Sequence, residues 1–270
     1  MLIDAHQHFW RLAARAGEWP PPSLAAIYRD FAPEDLIPQL KAAGVDGTVV
    51  VQSLPKGEDT RFLLDLAERH DFILGVVGWV DLKGAQAATE IADLAREPKL
   101  KGLRPMLQDL PEDGWIDDPA LDPAVAAMIE AGLSFDALVL PRHLPALTAF
   151  AQRHPRLPIV IDHGAKPVIS EGLYSEWRKA MEKLAALPQV FCKLSGLLVE
   201  AGDQRPQAIR PYAETLFDLF GPERLIWGSD WPVVDLAADY AAWLAQCRAI
   251  VPAVAHDRVF GGNARRFYRL

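Results

Sequence analysis

His6 and His8 stand two residues apart at the end of the short apolar run Leu2-Ile3-Asp4-Ala5. In a strand, positions i and i+2 face the same side, so the two imidazoles project together. Such a pair suits a divalent metal ion or a polarised carbonyl oxygen. It also suits two structural histidines held by hydrogen bonds. The choice depends on whether later segments supply partners, and a succession of apolar runs does end in polar residues. Gln52 closes one run, Trp79 with Asp81 the next and Arg104 a third. Arg142 and His143 follow the fifth run. His163, with Lys166 just beyond, ends the sixth, Lys193 and Ser195 the seventh, and Asp230 and Trp231 the eighth.

Each of these has a structural alternative. Asp162 and His163 are adjacent, so in a continuous strand only one faces inward; His163 is taken as the inward residue and Asp162 as a cap or backbone partner. His143 either contacts substrate or caps the helix starting near Leu144. Lys193 and Ser195 share a face, and an inward lysine in an apolar strand needs a partner or a substrate. Asp4 shares a face with His6 and is placed to orient an imidazole from deeper in the structure. Asp230, in Ile226-Trp227-Gly228-Ser229-Asp230-Trp231-Pro232, could cap the last large helix. That helix is expected to begin after Val234, which puts Asp230 too early for a cap. A carboxylate at the end of a buried strand beside imidazoles suits a general base.

The elements that must position these residues are legible as alternation. Apolar runs at 2–6, 47–52, 73–80, 100–104, 133–140, 158–163, 190–195 and 224–229 read as strands, the fourth least clearly. Most are apolar nearly throughout, as parallel strands buried on both faces should be. Between them lie segments with apolar residues at helical spacing, such as Trp177, Met181 and Leu184. Helix ends are marked by Gly44, Gly132 and Pro188. Eight such units in residues 1–270, with no linker or low-complexity stretch, predict one α/β domain, a (β/α)8 TIM barrel. A doubly wound open sheet would carry a G-x-G-x-x-G loop after an early strand, and none is present. In a barrel, polar residues at the strand ends share one face. The long segment 9–32 carries Phe9, Trp10, Trp19 and three consecutive prolines, and is expected either to wall the site mouth or simply to pack as a loop.

The formal charge of −8 argues against a general nucleic-acid binder. Cys192 and Cys247 fit no zinc-finger or redox spacing and read as core residues. No apolar stretch approaches the ~20 residues of a membrane helix. Asp4 and His6 interrupt the pattern of a signal peptide, so a cytoplasmic location is expected.

Several segments together resemble the amidohydrolase superfamily, in particular its sugar-lactonase branch. The resemblance rests on Ile3-Asp4-Ala5-His6-Gln7-His8-Phe9-Trp10, Lys101-Gly102-Leu103-Arg104 and Val160-Ile161-Asp162-His163-Gly164-Ala165-Lys166-Pro167. It rests further on Lys193-Leu194-Ser195-Gly196, Trp227-Gly228-Ser229-Asp230-Trp231-Pro232 and the closing Gly262-Asn263-Ala264-Arg265-Arg266-Phe267-Tyr268. It implies a distorted barrel that hydrolyses the lactone of a small sugar acid. It implies that His6, His8 and His163 form the electrophilic side and that Asp230 activates water. If a metal is bound, the same four residues hold it: one divalent ion, zinc first, with a metal-free enzyme as the alternative. No lysine marks the end of the fourth strand, where binuclear relatives carry a bridging one; Arg104 stands there instead. Substrate choice is assigned to Trp10, Gln52, Trp79, Arg104, His143, Lys193 and Trp231. A monomer or homodimer is expected, with no nucleic-acid or membrane partner. The competing functions are a metal-dependent decarboxylase of an aromatic acid, a lactone isomerase and a non-catalytic sugar-acid binder.

Overall fold

A computed structural model describes residues 1–15, 17–202 and 206–270. Eight parallel strands form one sheet in sequential order: β1 (Ile3–Gln7), β2 (Gly47–Val51), β3 (Ile73–Gly78), β4 (Leu100–Leu103), β5 (Ser134–Ala137), β6 (Ile159–Ile161), β7 (Val190–Leu194) and β8 (Leu225–Trp227). Each predicted strand is present, β1 shifted by one residue and the other seven trimmed at one or both ends. The last strand meets the first just beyond their ends. Asp230 N donates to His6 O and His8 N to Trp231 O, both at 2.7 Å, around a parallel bridge between Gln7 and Trp231. The sheet is therefore the predicted (β/α)8 barrel, fastened by the end of β1 and the turn after β8.

The helices are α1 (Pro33–Ala43), α2 (Gly57–Arg69), α3 (Ala87–Leu94), α4 (Asp122–Ala131), α5 (Leu144–Arg153), α6 (Ser175–Ala185), α7 (Leu197–Glu200), α8 (Arg210–Arg224), α9 (Tyr240–Ile250) and α10 (Asn263–Tyr268). α1 and α4 stop at Gly44 and Gly132, both left-handed at φ 67°, where glycine carries no Cβ penalty. The short α7, between β7 and α8, was not anticipated. Between strands and helices lies one apolar layer that includes Leu63, Ile91, Phe150, Met181 and Leu216. Inside the barrel a smaller cluster joins Ile3, Val49, Val77, Val160 and Ile226 to Phe267 and Tyr268. The final helix thus plugs the N-terminal end of the barrel and leaves the C-terminal end for chemistry. Cys192 and Cys247 are buried and free, as expected of core residues. Among the described residues no helix is long and apolar enough to cross a membrane.

Candidate active site

β1 carries His6 and His8 to the C-terminal mouth, and the turn after β8 brings Asp230 across to them. Asp230 Oδ1 lies 3.2 Å from His8 Nε2, 3.6 Å from His6 Nε2 and 3.7 Å from His163 Nε2. The chain makes this convergence through its backbone. Asp230 is left-handed at φ 61°, as is His163 at φ 54°. Few non-glycine residues adopt this region, and their presence at both positions marks a turn imposed by the site. Gly228 supplies room: a Cβ there would sit 2.6 Å from His6 Cβ. Asp4 ties the two strands together. Its carboxylate accepts from Ser229 N (2.8 Å), Ser229 Oγ (2.6 Å), Tyr240 OH (3.0 Å) and His6 N (3.2 Å). Burial nevertheless pushes its pKa up to about 6. Asp4 thus orients His6 through the main chain and not, as expected, through the imidazole.

The left-handed turn at His163 corrects the reading of Asp162. Because β6 ends at Ile161, strand alternation no longer applies, and both Asp162 and His163 turn inward. Asp162 Oδ1 lies 2.9 Å from Lys193 Nζ and 3.4 Å from His6 Nδ1, and Oδ2 lies 3.3 Å from Arg104 Nη1. Asp162 is a charged part of the site floor, not a cap. Lys193 Nζ also bonds Asp136 Oδ2 at 2.7 Å and His6 Nδ1 at 3.1 Å. Asp136 takes further bonds from Ser134 Oγ (2.9 Å) and Tyr268 OH (2.5 Å). Two cations, Lys193 and Arg104, therefore face two carboxylates in a fully enclosed network. Burial works to raise the Asp162 pKa, but Lys193, then His6, hold it well below the usual range. Asp136, a lone carboxylate inside an apolar strand, escaped the sequence reading although its type was the signal.

A cavity of about 450 Å³ opens above Asp230, His8 and His163. Of the seven expected substrate contacts, Arg104 lines it and the other six do not. Trp10 donates Nε1 to Arg29 O at 2.8 Å and packs edge-on against Phe31, which packs edge-on against Trp231. Trp10 and Trp231 are thus buried backing. Trp19, packed edge-on against Trp10 at 5.0 Å, provides the aromatic wall. Gln52 exchanges hydrogen bonds with Arg104, giving Nε2–H to its carbonyl (2.7 Å) and taking a guanidinium N–H on its own carbonyl. Trp79 N is bonded to Thr60 Oγ1 on α2, and its side chain lines a separate depression with Arg61 and Glu90. His143 follows its capping alternative, with Nδ1 accepting from Leu140 N at 3.0 Å. Lys193 lies below the histidines, committed to its carboxylates.

The segment 9–32 is pinned over the cavity by Arg15. Its guanidinium donates to Trp19 O (3.1 Å), Ser53 Oγ (2.9 Å) and Asp59 Oδ1 (3.0 Å). Asp59 Oδ2 in turn accepts from Ser53 N and Leu54 N, at 2.9 and 3.2 Å. The rest of the lining mixes apolar groups such as Leu54, Met106 and Val233 with Gln108, Asp109 and Lys166. Lys166 is 3.5 Å from Glu200, which α7 brings to the site and which the sequence reading missed.

Electrostatics separate the groups by role. Burial alone would raise the Asp230 pKa, but the adjacent imidazoles, His163 first and then His8 and His6, hold it well below the ordinary range. Burial lowers His163 to about 4 and His6 well below its ordinary value, so both rings are neutral at pH 7. His8 Nδ1 lies 2.7 Å from Val51 O, which can only accept. In the neutral ring the proton is therefore on Nδ1, and Nε2, then bare, faces Asp230 Oδ1, a second electron-pair donor. Only a proton or a cation can join these two atoms. With His6, they bring three nitrogen and oxygen ligand atoms within 4.8 Å of one another, a donor set suited to zinc. A second group, His6, Asp162 and His163, lies against Lys193, whose ammonium already supplies positive charge there.

A barrel with this histidine–aspartate cluster at its C-terminal mouth has the architecture of a hydrolase that activates water. The sequence profile of the family described as Amidohydrolase matches residues 3–270, and the chain belongs to that family. It is 60% identical over 278 residues to an L-fucono-1,5-lactonase of Burkholderia ambifaria, covering 99% of this chain and 95% of that protein. It is 37% identical to an L-fucono-1,5-lactonase of Burkholderia multivorans, covering 100% of this chain and 96% of that one. A crystal structure of an amidohydrolase from Burkholderia multivorans with bound zinc superposes with a TM-score of 0.92. It is 37% identical to this chain, and the match covers 100% of this chain and 99% of that structure.

Proposed function

We propose that this protein hydrolyses the lactone of a neutral sugar acid, of the L-fucono-1,5-lactone type, to the open hydroxy acid. The observation that carries this is Asp230 Oδ1 set among three imidazole nitrogens at the base of an open cavity. Asp230 stays ionised in neutral solution and takes a proton from water as its oxygen adds to the lactone carbonyl carbon. The carbonyl oxygen becomes negative and is met on the histidine side of the site by an imidazole N–H. When the tetrahedral carbon collapses, the bond to the ring oxygen breaks. Asp230 returns its proton to that oxygen, leaving a hydroxyl and a carboxylic acid. His6, His8 and Asp230 would hold a zinc ion, whose chemistry would be to polarise the carbonyl and acidify water.

The cavity favours a neutral substrate over a dicarboxylate. Its cations, Arg104 and Lys166, are offset by Glu18, Asp109 and Asp230 among the lining residues, and Arg142 pairs with Asp113 away from it. Trp19 and the aliphatic groups offer surface for sugar C–H faces, and Gln108 offers an amide. A pH-indicator screen of aldonolactones, with and without chelator, tests the reading. Acid release that is greatest with L-fucono-1,5-lactone is expected, and chelation reports whether metal is needed. Failure to open any aldonolactone, with carbon dioxide released from a dihydroxybenzoate instead, would replace this reading with the decarboxylase one.

A further inference from the structure

Ser195 lies outside the cavity, yet its Oγ is 2.8 Å from His163 Nδ1 and both residues are buried. That nitrogen is the only hydrogen-bond partner of the Ser195 hydroxyl among the described residues. A hydroxyl has one hydrogen to give. If Nδ1 carried the ring proton, Ser195 would have to accept it, and its own buried hydrogen would lack an acceptor. If Ser195 donates, Nδ1 is bare and the ring proton is on Nε2. Leaving a buried donor unpaired is costly, so the second arrangement is preferred.

The backbone holds the ring in this contact. Gly196, left-handed at φ 68°, passes so close that a Cβ there would lie 2.6 Å from His163 Nδ1 and 2.7 Å from Cγ. The His163 ring is thus pressed between a bare Cα and a hydroxyl, while its Nε2 faces Asp230. The neutral His8 ring is arranged in the opposite sense, since its Nδ1 proton goes to the Val51 carbonyl and leaves Nε2 bare. The two rings therefore present different chemistry to the same carboxylate.

We propose that Ser195 is a positioning residue that holds His163 in the tautomer with its proton on Nε2, so that His163 serves the site as a hydrogen-bond donor and not as a metal ligand. The part of this that concerns catalysis rests on the lactonase reading: the Nε2–H is aimed where charge grows on the carbonyl oxygen. The tautomer itself does not depend on that reading.

The test is nitrogen NMR of the intact protein labelled at histidine, with the His163 signals assigned from their loss in His163→Gln. Protonated and bare ring nitrogens resonate far apart, so the tautomer is read directly, without turnover. The proton is expected on Nε2 in the wild type and divided between the nitrogens in Ser195→Ala. Ser195→Ala should also lower kcat about 10- to 100-fold with little change in KM, and Ser195→Thr should recover part of that. Zinc content should fall in His8→Asn and stay at the wild-type level in Ser195→Ala and His163→Gln. A wild-type proton on Nδ1, or zinc lost in His163→Gln as fully as in His8→Asn, overturns the proposal. If no lactone is hydrolysed but the proton is on Nε2, the functional reading falls and the role of Ser195 in setting the tautomer stands.

Discussion

The Lys193 ammonium lies 2.9 Å from the Asp162 carboxylate, and neither side chain has any exposure to solvent. With Asp136 on its other side, Lys193 is the central cation of the site floor. Replacing it with methionine, which has similar bulk and no charge, leaves two buried carboxylates facing each other. Lys193→Met is expected to cost about 3–5 kcal/mol of stability in urea unfolding. Asp136→Asn in that background should recover part of the loss. A loss within experimental error would show that the floor does not depend on this pairing.

Asp230→Asn keeps the shape of the side chain and removes the proposed base. The kcat for the best lactone should fall about 10²- to 10⁴-fold, with the protein still folded by circular dichroism. Near-native turnover would mean that another group activates water.

His163 makes stability depend on pH. Its pKa is about 4 in the folded protein, against an ordinary value of 6.5. Below pH 6.5 the unfolded chain therefore binds a proton that the folded one refuses. This contribution to stability is intact above pH 6.5 and is lost progressively as pH falls toward 4. By pH 5 the loss amounts to about 2 kcal/mol. The stability difference between wild type and His163→Gln should shift by roughly that much, against the wild type, between pH 7.5 and pH 5. Parallel pH profiles for the two proteins would contradict it.

Trp19 is a wall of the cavity and does not touch the histidines. Trp19→Ala should raise KM roughly two- to twelvefold, equivalent to about 0.5–1.5 kcal/mol, and leave kcat nearly unchanged. Steady-state kinetics separate the two constants. A selective loss of kcat would mean that Trp19 shapes the reacting geometry itself.

The eight strands were legible because burial on both faces leaves an apolar run that needs no partner to be recognised. β4 was the faintest, since Lys101 turns partly outward and Gly102 sits so close to Ser134 that a Cβ would lie 2.1 Å from its Oγ. His6, His8, His163 and Asp230 were legible from type and position. The inward turn of Asp162 was not, because strand alternation says nothing about a left-handed residue that ends the strand. Nor could periodicity separate Trp19, which lines the cavity, from Trp10 and Trp231 behind it. All three are aromatic residues in segments that follow strands, and only tertiary packing tells them apart. Glu200 was hidden because it reaches the site on the unanticipated α7.

The hydrogen bond from Asp230 N to His6 O belongs to the seam that joins the two ends of the barrel. The proposed base and the last rung of the sheet are thus one residue, and its partner arrives 224 positions earlier in the chain. A growing polypeptide holds both histidines of β1 from the outset, but it has no reactive centre until nearly all of it has been made and wrapped round. Competence therefore arrives together with closure, and an incomplete chain has no partial version of this site to offer.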